Sequence, residues 1–132
     1  MILHICVENS MGMSFNRRRV SRDSVVISRI AENAGDSAIF MNERSAMLFE
    51  GKNVNLCADF LEKAGEGQHV FAETDDVSPF SSKIEKIYLY KWNRDYPSDL
   101  KLTLDLSKYR LESSEEYPGS SHELITEEVY SL

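Results

Sequence analysis

The sequence predicts an α/β domain spanning residues 1–132, built on one mixed sheet with flanking helices. Three observations carry this expectation. The opening ILHICV, residues 2–7, is a continuous apolar run rich in β-branched residues, the pattern of a strand covered on both faces and central in its sheet. Apolar runs then alternate with helix-spaced segments as far as HVFAE, which points to parallel pairing with helices on the faces. Beyond residue 84 the strands follow one another directly, so the later part of the sheet is expected to contain an antiparallel hairpin formed by residues 84–92 and 99–106.

Taken in order, the opening strand leads into ENSMGMSFNRRRVSRDS, a polar loop with four arginines within six positions. Ser21 is placed to cap a helix over about residues 22–33, whose apolar face is Val25, Val26, Ile30 and Ile27 and whose stop is NAG. DSAIFMN reads as a second buried strand and ERSAMLF as a short helix. ADFLEKAGEG has helical spacing at Phe60, Leu61 and Ala64, and HVFAE is a third strand. KIEKIYLYKWN is a long strand. LKLTLDL alternates Leu100, Leu102, Leu104 and Leu106 with polar residues, which gives one buried face. YRLESSEEY fits a further strand, and SSHELITEEVYSL fits either a strand or a short helix capped by Ser120 with Glu123.

A chain of 132 residues can bury one core without disulfides or a structural metal. The formal charge of −7 works against long-range attraction to nucleic acid or an acidic membrane. That charge is segregated: residues 1–30 carry five arginines, and residues 111–132 carry six glutamates with no lysine or arginine. The arginine loop could therefore pair with the acidic tail. Cys6 and Cys57 lie among apolar neighbours without metal or redox spacing, so both are expected as buried free thiols. MILHICV is too short for a signal peptide, and no apolar run approaches the roughly 20 residues needed to cross a bilayer. A reducing, cytoplasmic location is the default expectation.

The order and wording of these pieces resemble a shortened dihydrofolate reductase over nearly the whole length, most specifically in the last third. ICVENSMGMSFN resembles that family's first strand and active-site loop, and IFMNERSA places Arg44 and Ser45 where the family has an arginine and threonine at a helix start. KIYLYKW, SDLKLTLDLSKYRLESSEEY and EEVYSL resemble its closing strands. The resemblance implies a dihydrofolate reductase-like fold, with Asp23 as the one candidate for the acidic pterin ligand, although it falls early in the spacing. The family's Gly-Gly turn is replaced by FAETDD, and the glycine before Arg44 by Asn42 and Glu43. Acidic side chains there would repel a cofactor pyrophosphate, so no nicotinamide cofactor and no reductase activity are expected. GM.FN.RR.S.D, FLEKAGEG, WNR.YP and GSSHE are also similar to passages of short proteins from Gram-positive gut anaerobes that carry the label ribonuclease Z. The zinc enzyme of that name uses a His-x-His-x-Asp-His cluster. His4, His69 and His122 are scattered here, and no metal site is expected.

Two constellations point to chemistry. Arg17, Arg18, Arg19 and Arg22, beside a helix start at Ser21, would suit a phosphate or carboxylate, with Asn16 in the same polar set and Met11, Met13 and Phe15 as an adjoining apolar wall or as ordinary loop packing. Arg44, Ser45, Ser120 and Ser121 extend that polar set, and Trp92 with Arg94 in KWNRDYP could stack on a ring, or Trp92 could close the core. His122, in the polar passage PGSSHE, is the histidine placed to act as a general acid or base, because the ordinary histidine pKa is near neutral. His4 and His69 read as structural. The function expected is a non-catalytic binding module for an anionic small molecule, a nucleotide or a protein partner. The alternative is a small phosphoester-processing enzyme that uses the arginines and His122. No cofactor, no membrane contact and no general nucleic-acid binding are expected.

Overall fold

A computed structural model describes all 132 residues. In chain order the elements are β1 (Ile2–Val7), β2 (Gly12–Phe15), β3 (Arg18–Arg19), α1 (Ser24–Ala34), β4 (Ile39–Met41), α2 (Glu43–Ala46), β5 (Val54–Leu56), α3 (Phe60–Lys63), β6 (His69–Ala72), β7 (Lys86–Lys91), β8 (Leu100–Lys101), β9 (Arg110–Tyr117) and β10 (Ile125–Ser131). Short 3₁₀ turns cover Met47–Phe49, Ser78–Lys83 and Leu106–Lys108.

Seven strands form the main sheet in the order β5-β4-β6-β1-β7-β10-β9, and β3-β2-β8 form a small second sheet. The chain is thus a single-domain mixed α/β protein with β1 at the centre. β1 runs parallel to both β6 and β7, while β10 is antiparallel to β7 and to β9. Parallel neighbours explain the unbroken apolar run of β1. Leu3, Ile5 and Val7 face one core with Val70, Ile87, Leu89 and α3, and Cys6 turns to the other core beneath α1. Burying each of those aliphatic side chains contributes about 1.5–3 kcal/mol.

α1 buries Val26, Ile30 and Ala34, spaced by four, against Ile39, Met41, Phe71 and Tyr90. It stops at Gly35, whose φ of 61° ends the helix and whose N–H donates to the Glu32 carbonyl. Its start differs from the sequence expectation: Asp23, not Ser21, is the N-cap, accepting from the Val25 and Val26 amides. Asp23 can do so because its backbone is extended there, with its carboxylate turned back over the first turn.

The expected hairpin between 84–92 and 99–106 does not form. Both edges of β7 are already taken, one by β1 and the other by β10. Residues 100–101 pair with β2 instead, and the leucine alternation survives only as packing: Leu100, Leu102, Leu104 and Leu106 all lie against the core of β1. The C-terminal segment resolves as strand β10, whose Ile125, Glu127 and Val129 point inward. The arginine loop is not an open loop either. β2 and β3 make a tight hairpin whose two turn residues, Asn16 and Arg17, have φ of 51° and 62°. Both cysteines are free and half-buried rather than fully buried. No helix is long and apolar enough to cross a membrane.

Candidate functional site

The polar clusters of the fold lie in three places, two of which hold residues singled out by the sequence. The first is a hub at Asp23. This carboxylate is 2% exposed and accepts six hydrogen bonds: from Val25 N (2.9 Å) and Val26 N (3.4 Å) of α1, and from Ser120 N (2.9 Å), Ser120 Oγ (3.1 Å), Ser121 N (2.8 Å) and His122 Nδ1 (2.9 Å) of the turn between β9 and β10. Burial works to raise its pKa, and the bonds from Ser120, His122 and Ser121 more than offset that, holding the carboxyl well below the usual range. Gly119 is required beside it, because a Cβ there would stand 2.4 Å from Asp23 Oδ2. His122 is buried, although the passage around it is polar. Its ring stacks on Trp92 at 4.6 Å, and its Nε2 lies 3.0 Å from both Ser21 Oγ and Tyr96 Oη. Trp92 is itself 4% exposed, so its face is taken by His122 and the core, and its Nε1 has no hydrogen-bond partner.

The second place is the junction of the arginine hairpin with α2. Arg19 forks onto the buried Glu73 of the FAETDD turn, Nε to Oε2 at 2.9 Å and Nη2 to Oε1 at 3.0 Å, and Ser45 Oγ donates to the same carboxylate at 2.8 Å. Arg19 also donates to the Arg44 carbonyl and Arg44 to the Arg17 carbonyl, which stitches the hairpin to α2. The acidic tail does not pair with these arginines. Its Glu115 and Glu127 are held by Arg29 from the middle of α1. The arginines therefore do not converge: Arg17, Arg18, Arg22 and Arg44 have no carboxylate within bridging distance, and they point from different elements. Met13 is buried in the core of β1, whereas Phe15 and Asn16 are exposed at the hairpin tip and Arg94 is exposed.

The helix start does not offer free N–H groups, as the sequence reading assumed. Ser24 N donates to Ser120 Oγ, the next two amides go to Asp23, and Ile27 N goes to the Asp23 carbonyl. What lies beside it is a cleft of about 490 Å³ lined by Arg22, Ser24, Ser28, Lys52, Ser120 and Ser121, with Ile27, Met47 and Leu48 as its apolar side and the engaged Asp23 at its base. Arg22 and Lys52 are exposed and have no ion-pair partner. Met47 is 78% exposed and also borders a second cleft of about 640 Å³, with Asn42, Arg44, Leu56, Cys57 and Thr74.

The third place is Glu8, which sequence reasoning passed over. It is 3% exposed and accepts from Ser10 N and Oγ, Gly12 N (2.7 Å) and Ser98 Oγ (2.8 Å), with Lys101 Nζ at 3.5 Å. Burial would raise its pKa, and these bonds bring it down to about 2. His4 and His69 are buried and bonded to each other at 2.8 Å, with Tyr90 Oη 3.0 Å from His4, which fits the structural role expected of them. No three histidine, cysteine or acidic side chains gather where they could hold a metal ion. Lys52 and Met47 had no signal in the sequence, since they reach the cleft from a turn and a one-turn helix. Glu73 had one, as the acid replacing an expected glycine. Comparison with models of known protein families and with curated proteins finds no match.

Proposed function

We propose that this α/β chain is a binding module that holds an anionic small molecule of nucleotide size in the cleft between α1, the Met47–Phe49 turn and the Ser120–Ser121 turn. The observation that carries the reading is the pair Arg22 and Lys52, two cations without internal partners, set over serine hydroxyls and beside an apolar wall in a space of about 490 Å³. That combination suits a ring against Ile27 and Leu48 with a phosphate or carboxylate at the cations. The underlying scaffold is proposed to be dihydrofolate reductase-like. Supporting this are the central β1 between two parallel neighbours and the late antiparallel β10 and β9. Reductase chemistry is not proposed, because Glu73 fills the turn where that family's resemblance calls for glycine, and its carboxylate is committed to Arg19. Phosphoester chemistry through the arginines and His122 is less well supported, since His122 does not line the cleft that Arg22 and Lys52 border.

A thermal-shift panel of adenosine phosphates, folates and inorganic phosphate tests the reading. A ligand at a hundredfold excess over its Kd should stabilise the fold by about 2.7 kcal/mol, less so in high salt. Arg22→Ala with Lys52→Ala should abolish the shift while leaving the unliganded Tm unchanged. No shift with any of these anions, or a shift that survives the double substitution, would refute it.

A further inference from the structure

We propose that Ser21, His122 and Asp23 form a nucleophile, base and orienting relay that cleaves small carboxylic esters through an acyl-Ser21 intermediate. The three side chains stand in an unbroken line: Ser21 Oγ is 3.0 Å from His122 Nε2, and His122 Nδ1 is 2.9 Å from Asp23 Oδ2. Asp23 can only accept, so His122 carries its proton on Nδ1, and Nε2 is left as the base facing the serine. The imidazole is held in that pose from three sides, by Asp23, by the Trp92 ring stacked at 4.6 Å and by the closure of the turn from Gly119 N to the His122 carbonyl. Ser21 is half-buried, on the irregular segment just before α1, and its hydroxyl has two partners: it donates to Tyr96 Oη at 3.2 Å and lies nearer, at 3.0 Å, to His122 Nε2, to which the proton turns in the reaction.

The backbone around the serine has the second feature that acyl transfer needs. The N–H groups of Ser21, Arg22 and Asp23 make no hydrogen bond within the protein, so they remain as donors for an oxyanion formed next to Ser21. In the reaction, the bond from Ser21 Oγ to the ester carbonyl carbon forms as the hydroxyl proton passes to His122 Nε2. The bond from that carbon to the alcohol oxygen then breaks, and the proton leaves on the alcohol. Tyr96 Oη, also 3.0 Å from Nε2, helps to fix the ring while Nε2 holds that proton. Water repeats the step on acyl-Ser21, releases the carboxylic acid and restores the serine. Ser21 and His122 are the catalytic residues, and Asp23 is a positioning residue that acts through His122.

The test uses the full chain with a fluorophosphonate probe, read by intact mass and peptide mapping, with p-nitrophenyl acetate hydrolysis as the turnover assay. The expected result is a single adduct on Ser21. Ser21→Ala should fold normally and give neither adduct nor hydrolysis, and His122→Gln should slow labelling by at least about 100-fold. Asp23→Asn, measured per folded molecule, should slow it comparably, because the Nδ1–H tautomer loses its partner. A merely structural Asp23 would leave the per-molecule rate unchanged. An unlabelled wild type, an adduct elsewhere, or one that survives Ser21→Ala would overturn the proposal. Labelling needs nothing in the neighbouring cleft. Labelling without an anion-induced Tm shift therefore overturns the cleft reading alone, and the converse overturns this one alone.

Discussion

Replacing Asp23 by alanine should be the most damaging single polar substitution in the chain. The side chain caps α1, and losing a cap costs about 1 kcal/mol. It also satisfies the buried His122 Nδ1 at 2.9 Å, and a buried donor left without a partner costs about 1–3 kcal/mol. Ser120 N and Ser121 N, both on exposed residues, can turn to water and add little. The total is about 2–4 kcal/mol, against about 5–15 kcal/mol for a whole domain. Urea unfolding followed by circular dichroism measures it. The one tryptophan, Trp92, stacks on His122 and reports the same transition locally by fluorescence. The pH dependence has a defined sign. The folded pKa of Asp23 lies below its unfolded value, so its contribution is complete above about pH 5 and is lost as the pH falls. The wild type should therefore lose this contribution on acidification while Asp23→Ala lacks it at every pH, and the gap between them should narrow. A destabilisation below about 1 kcal/mol at pH 7, or a gap that widens in acid, would refute the reasoning.

Glu8→Gln should destabilise by about 2 kcal/mol at neutral pH, because its amide nitrogen would meet the donors of Gly12 and Ser98; in the wild type the Glu8 contribution fades as the pH drops from 4.5 toward its folded pKa of about 2, which acid titration of the urea midpoint will show. Gly119→Ala should cost about 2 kcal/mol by forcing a methyl within 2.4 Å of Asp23 Oδ2, and it should alter Trp92 fluorescence if the turn shifts; an unchanged midpoint would count against the close packing described. Arg19→Ala should destabilise by about 2 kcal/mol, since Glu73 would keep only Ser45, whereas Arg17→Gly should stabilise by about 1 kcal/mol by removing a side chain from a left-handed turn position. Equal effects of these two substitutions in differential scanning calorimetry would mean that the arginine hairpin is not built as described.

The elements whose signal is local were legible in the sequence. Residues 2–7 read as a central strand because a strand covered on both faces needs apolar side chains at every position, and α1 read as a helix because Val26, Ile30 and Ala34 recur at its period. The alternation of Leu100 to Leu106 correctly reported one buried face, but burial does not name a pairing partner. Only the assembled sheet, in which β1 and β10 occupy both edges of β7, excluded the hairpin. The same limit applied at the site. The sequence offered Ser21, Asp23, Ser120, Ser121 and His122 as separate candidates, and nothing in a one-dimensional pattern relates residues 97 to 101 positions apart. The tertiary structure joined them through the closing turn from β9 to β10. It also separated the arginines, which are neighbours in sequence, because a tight hairpin turns successive side chains in different directions and one buried acid, Glu73, can hold only one of them. Local composition thus determined which segments are strand or helix and how much charge the chain carries. Which charges remain free and which hydroxyl meets which imidazole was decided by long-range pairing, because those contacts exist only once distant strands share a sheet.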